Sequence, residues 1–302
     1  MKRYSYFFLV ISLFLNACEF NPHEFEKPKL IVCTTSIIGD VVKELVKDHL
    51  EVKVLMGDGV DPHLYEAKPS DVRAMADAKV IVFNGLHLEG KLARLFERME
   101  SQKNLIRFSD GMDKKNLIPL NEHSFDPHVW FDISLWLEGI EEFVNQIVEI
   151  YPDESVFIEN NFKNYKNKLV ELEKDVARKI NNIPIGQRVL ITSHDAFHYY
   201  GKAYGIEVKA IQGVSTIMEP GLKEVSKLVN EIVERKIKSI FVESSVSSKS
   251  IRAVIEGCKA KGVEVEIGGT LYSDALGGKG SGADTYLTMV SKNTSIINAA
   301  LK

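Results

Sequence analysis

Cysteine is scarce in this chain: three in 302 residues, at positions 18, 33 and 258. Cys33 falls in the strand-like run Leu30-Ile31-Val32-Cys33, and Cys258 on the helical apolar stripe Ile251, Val254, Ile255, Cys258. Both read as small core residues in different halves of the molecule, so neither is expected to be a metal ligand and no disulfide is expected between them. Basic charge is not in excess either, with 38 Lys and Arg against 42 Asp and Glu and a net charge of -4. Without a basic stripe or interleaved aromatics, no nucleic-acid partner is expected. No short repeat marks a solenoid. His194-Asp195-Ala196-Phe197-His198 lacks the glutamate of the hydrolase motif His-Glu-x-x-His, so the general base is missing. Gly277-Gly278-Lys279-Gly280-Ser281-Gly282 lacks Walker spacing and is expected to be a loop.

The N-terminus carries Lys2 and Arg3, then an apolar run over 6–15 that is too short to span a bilayer. Leu15-Asn16-Ala17-Cys18 then resembles a bacterial lipobox. Residues 1–17 are therefore expected to be a signal peptide, Cys18 the lipidated first residue of the mature chain, and 18–28 a polar tether. Such a protein is extracytoplasmic, periplasmic or at the cell surface, and held to a membrane by its lipid.

The remaining length exceeds a common single domain, so two lobes are expected. Strand-like runs at 29–34, 51–56, 80–84 and 105–108 alternate with helix-periodic segments, and the plan returns at 188–192, 208–212, 239–243 and 263–267. This predicts an α/β fold: two lobes, each a four-stranded parallel sheet flanked by helices, spanning 29–150 and 185–302. Between them, over 151–184, Phe162, Tyr165, Leu169, Leu172, Val176 and Ile180 step by three and four. That spacing predicts one long amphipathic helix over 153–181, packed along both lobes and restricting their motion.

Asp61-Pro62-His63 recurs as Asp126-Pro127-His128. Proline fixes its own φ and biases its predecessor towards extended backbone, so each triplet presents an imidazole from a rigid turn. In open parallel sheets ligands bind beyond the carboxyl ends of the strands. His63 follows the second strand and His128 the loop after the fourth; His194 closes a strand and Asp274 lies past the last one. Three imidazoles and one carboxylate suit zinc, and a carboxylate binding through both oxygens also admits manganese. Each has an ordinary reading too: Asp-Pro is common turn chemistry, His194 could cap a strand, and Asp274 could be a turn residue. His198 is expected at the surface or against its helix. His87 sits at a strand end as a candidate residue of the cleft mouth.

Asp61-Pro62-His63-x-Tyr65-Glu66, Asn84-Gly85-Leu86-x-Leu88-Glu89, Asp126-Pro127-His128-x-Trp130, Ser193-His194-Asp195-Ala196-Phe197, Phe241-Val242-Glu243-Ser244-Ser245 and Asp274-Ala275-Leu276-Gly277 occur in that order. Together they resemble the TroA-like family, the zinc- and manganese-binding receptor lipoproteins of bacterial ABC importers. The resemblance covers nearly all of 29–302 and implies two lobes on a rigid backbone helix with one metal between them. It implies His63, His128, His194 and Asp274 as ligands, zinc or manganese as cargo, an ABC permease and its ATPase subunit as partners, a monomer, and no enzymatic activity. The third ligand position is typically glutamate in manganese-dedicated members; His194 places this chain with the branch that has three histidines and an aspartate. Dedicated zinc receptors carry a His-rich acidic loop before the second Asp-Pro-His, where this chain has only Asn121-Glu122-His123-Ser124. Two rival functions remain: a zinc-dependent hydrolase, if Asp274 lies away from the histidines and leaves a position open, and a metal-binding surface adhesin.

Overall fold

The computed structural model describes residues 29–302, so the expected signal peptide, Cys18 and the tether lie outside the described residues. Strand β1 (Leu30–Thr35) is buried at all six positions, as a central strand covered on both faces requires. Thr35 ends it and starts helix α1 (Ser36–Val46), its side chain accepting from the Ile38 amide at 3.3 Å. Strands β2 (Glu51–Met56), β3 (Val80–Phe83) and β4 (Asn104–Arg107) complete a parallel sheet in the order β2-β1-β3-β4. Helices α2 (Pro69–Asp77) and α3 (Ala93–Met99) connect them. Ile31, Cys33, Val80 and Val82 share a core with α1, whereas Leu30, Val32, Ile81 and Phe83 pack with Ala74, Met75 and Phe96 from α2 and α3. The sheet alternation thus sends helices to opposite faces, and the chain reverses direction between β1 and β3.

A short antiparallel hairpin, β5 (Pro119–Asn121) with β6 (Ser124–Phe125), precedes the second Asp-Pro-His. Helix α4 (Ile133–Ile150) leads to α5 (Ser155–Asn181), the expected backbone helix. At about 1.5 Å per residue, α5 is about 40 Å long. Its start lies two residues later than the periodicity suggests, because Pro152–Glu154 forms a 3-10 turn. Tyr165, Leu169, Val176 and Ile180 are buried, and α5 packs against α1 and α4 on one side and α9 (Tyr286–Leu301) on the other.

The second half repeats the topology with β7 (Val189–His194), α6 (His198–Tyr204), β8 (Glu207–Gln212), α7 (Leu222–Arg235), β9 (Ser239–Glu243), α8 (Lys249–Ala260) and β10 (Glu266–Leu271). Its four strands hydrogen-bond as two parallel pairs, β7 with β8 and β9 with β10, and β7 lies beside β9. Strand β10 begins three residues after the expected start and runs on through Gly268 and Gly269. Here they permit close packing, as glycine in a strand often does. A Cβ on Gly268 would meet Phe241 and Ala300 at 2.8 Å, and one on Gly269 would meet Ile296 at 2.5 Å. Cys33 and Cys258 are buried and unpaired with each other. Among the described residues no helix is long and apolar enough to cross a membrane.

Candidate metal centre

The four residues expected beyond the carboxyl ends of the strands, His63 after β2, His128 after the β5–β6 hairpin, His194 at the end of β7 and Asp274 after β10, meet. One ligand atom from each of His63, His128, His194 and Asp274 lies within 4.8 Å of the others, and all four side chains are buried.

The two Asp-Pro-His loops are built alike. Asp61 Oδ1 accepts from the His63 amide at 2.8 Å, and Asp126 Oδ1 accepts from the His128 amide at 3.0 Å. Each bond closes an Asx turn. Asp126 Oδ1 is also 2.7 Å from His128 Nδ1. That contact turns Nε2 to the centre, as a carboxylate behind a ligating imidazole does. His194 ends β7 beside Glu243 at the end of β9. Glu243 Oε1 accepts from the His194 amide at 2.8 Å, and Oε2 lies 2.5 Å from Nδ1. The Asp274 loop is pinned to the first half at two points: the Trp130 indole donates to the Ser273 carbonyl at 2.9 Å, and the Leu276 amide donates to Ser36 Oγ at 2.9 Å.

His63 Nε2 is 3.3 Å from His128 Nε2. Asp274 Oδ1 is 3.4 Å from His128 Nε2, while Oδ2 is 3.2 Å from His194 Nε2 and 3.7 Å from His63 Nε2. Metal bonds of about 2.0–2.1 Å in a tetrahedron place ligand atoms roughly 3.3 Å apart, and the His63–His128, His128–Asp274 and His194–Asp274 spacings lie close to that value. Neither Asp274 oxygen receives a well-directed hydrogen bond, although the residue is fully enclosed. A buried carboxylate in that condition needs a positive charge.

The electrostatics supply part of it. Burial lowers the His63 imidazole to about 4, leaving it neutral with a lone pair to offer. Burial also works against a charged His194, but Asp274 and Glu243 outweigh it and raise its pKa well above the ordinary range. For Asp274 the burial penalty is overcome by His194 and the other two imidazoles, which hold the carboxyl below the usual carboxylate range. Asp126 is likewise held low by His128 and His198 against its burial.

A hydrolytic zinc site keeps one position open for water. Asp274 lies among the three histidines rather than away from them, which removes the basis of the hydrolase reading. His198 is not among the four: at the start of α6, its Nδ1 lies 3.2 Å from Asp126 Oδ2 and its Nε2 3.0 Å from Asp195. Hydrogen bonds to these two carboxylates raise it to about 10. His87 does not line the cleft as expected. Gly85, Leu86 and His87 all have positive φ, the Leu88 amide donates to the Gly85 carbonyl, and the turn leaves His87 exposed in a groove with Phe96, Arg107 and His123.

The sequence motifs include several supporting residues to which no role was given. Asn84 Nδ2 donates to the Pro127 carbonyl at 3.0 Å, fixing the centre of the second Asp-Pro-His. Buried Glu89 accepts from Thr34 Oγ1 at 2.7 Å and from the amides of Asn84 and Gly85, so it holds Asn84 in place. The available signal for Glu243 was a charge closing the apolar run Ile240-Phe241-Val242 at the same sheet edge as His194. Replacing Asp126 with asparagine removes the charge that orients His128 and is expected to weaken metal binding about 10- to 100-fold, measured by competition with a chelator.

Comparison with known proteins agrees with this geometry. Residues 31–300 match the family model described as zinc-uptake complex component A, periplasmic (ZnuA). The chain is 44% identical to the manganese-binding lipoprotein MntA of Bacillus subtilis, over 90% of this chain and 89% of that one. It is 39% identical to the zinc-binding protein TroA of Treponema pallidum, over 90% and 88%. The solved structure of the periplasmic zinc-binding TroA of Treponema pallidum superposes with a TM-score of 0.89 at 39% identity, covering 91% of this chain and 99% of that one. With its site assembled from both halves of the fold, this chain belongs to the ZnuA family of periplasmic metal-uptake components.

Proposed function

We propose that the chain is the extracytoplasmic receptor of an ABC importer, which captures zinc or manganese between its lobes and delivers it to the permease and its ATPase subunit. His63, His128, His194 and Asp274 hold the ion, and no covalent bond is made or broken. The reading is carried by one observation: three imidazole nitrogens surround a buried carboxylate whose oxygens lack well-directed hydrogen bonds. Asp274 turns Oδ1 towards His128 and Oδ2 towards His194. The set therefore offers four donors to zinc or five to manganese. Three nitrogen donors favour zinc in the affinity order, so manganese use depends on which ion is available.

In this reading residues 29–150 and 185–302 are the two lobes and 151–184 the linking segment. Helix α5, packed along both, limits their relative movement to a small closure. Cys18 carries the lipid that keeps the monomer near its permease. Uptake of radioactive zinc and manganese tests the role. Cells lacking this receptor are expected to lose high-affinity uptake of one or both metals and to regain it with the wild-type chain but not with His128→Ala. Unchanged uptake of both metals in the deleted cells would sink the proposal.

A further inference from the structure

The aspartates of the two Asp-Pro-His loops each use one oxygen within their own loop and send the other across the cleft. Asp126 Oδ2 meets His198, and Asp61 Oδ2 meets Thr216 Oγ1 at 2.5 Å. The two sides of the cleft are nevertheless held differently. On the Asp126 side, buried aromatics bolt the halves together: Tyr199 donates to the Asp126 carbonyl at 2.9 Å, Trp130 to Ser273, and Tyr286 to the Trp130 carbonyl at 2.8 Å. On the Asp61 side, the chain leaving β8 runs through residues 213–221, of which Thr216 alone is buried. Ile217 and Met218 are 62% and 78% exposed, so apolar packing does little to hold this loop. Its position depends on polar contacts. Gln212 Nε2 donates to the carbonyls of Thr216 and Met218 at 2.8 and 2.9 Å, and Thr216 donates to Asp61.

His63, beside this loop in the Asp61 turn, is the most exposed of the four site residues at 4%, against 1% or less for the others. We propose that Thr216 is a positioning residue that clasps the 213–221 loop to Asp61, holding His63 in place and closing the side from which the metal leaves. The Thr216 hydroxyl bonds to Asp61 and not to any of the four residues that hold the ion. Its hydroxyl acts through Asp61, whose other oxygen fixes the His63 amide.

The inference rests on the metal-receptor reading, and one experiment separates the two. The purified protein is loaded with zinc or with manganese, mixed rapidly with excess chelator, and metal release is followed in wild type, Thr216→Val and Thr216→Ser. Valine keeps the shape and removes the donor; serine keeps the donor. Thr216→Val is expected to release metal about tenfold faster, the scale of one hydrogen bond to a charged group, with Thr216→Ser close to wild type and the melting temperature of metal-free protein unchanged. Wild-type release from Thr216→Val, or equal acceleration in both variants, would overturn the clasp while leaving the site intact. A wild-type protein that takes up neither metal would overturn both readings.

Discussion

Exchanging Asp274 for asparagine is expected to lower zinc affinity by about 3–5 kcal/mol, roughly two to four orders of magnitude, the cost of removing one partner from a buried charged set. The substitution keeps the size and one oxygen, so the loss reports charge rather than packing. Asp274 is the one carboxylate among the four, and its oxygens lie 3.4 Å from His128 Nε2 and 3.2 Å from His194 Nε2. The exchange leaves only neutral donors around a divalent ion at a site with almost no solvent. Metal should also stop protecting the variant: in wild type, binding confined to the folded form raises the melting temperature by mass action, and in Asp274→Asn that rise should largely vanish. Calorimetric titration and thermal melts with and without zinc read both effects. Wild-type affinity in Asp274→Asn would remove the carboxylate from the ligand set.

Metal binding at pH 7 is expected to release about one proton. His63, lowered to about 4 by burial, is already neutral at that pH, whereas His194 is raised well above its ordinary 6.5 by Asp274 and Glu243 and carries its proton in the metal-free protein. The ion must displace that proton, so affinity should fall about tenfold for each pH unit below the raised His194 value. The same pair governs metal-free stability. A raised histidine contributes fully below 6.5, and the contribution is lost as pH rises through its folded value; depressed Asp274 contributes above 3.8 and is lost as pH falls through its folded value. The metal-free protein should therefore weaken at high pH while the loaded protein does not. Titrations in two buffers of different ionisation enthalpy count the protons, and a count of zero at pH 7 would contradict a protonated His194.

The parts of the site legible in the sequence are those with a local signature. Asp61-Pro62-His63 and its second copy stand out because proline and an Asx turn act within three residues. His194 follows from a strand that ends in a polar residue. Asp274 was marked only by its position past the last strand, in a turn-like stretch, and the family pattern supplied most of the weight for its place in the set. The backbone helix was readable to within two residues from its three-and-four spacing. Contacts between distant segments were not: Glu243 reaches His194 from 49 residues away and Thr216 reaches Asp61 from 155, and neither leaves a periodic trace. The β5–β6 hairpin has only two or three residues per strand, and every residue of β5 is exposed, so no apolar alternation marks it. Strand β10 was placed early because its glycines fit against Phe241 and Ile296, a requirement set outside the strand itself.

The most direct test of the central claim is metal analysis of the protein purified from its own envelope, paired with zinc and manganese titration of metal-stripped protein. One equivalent of zinc or manganese, lost in the Asp274→Asn and His128→Ala variants, is the predicted result. No bound metal and no uptake of either ion by the stripped wild-type protein would contradict the account built on His63, His128, His194 and Asp274.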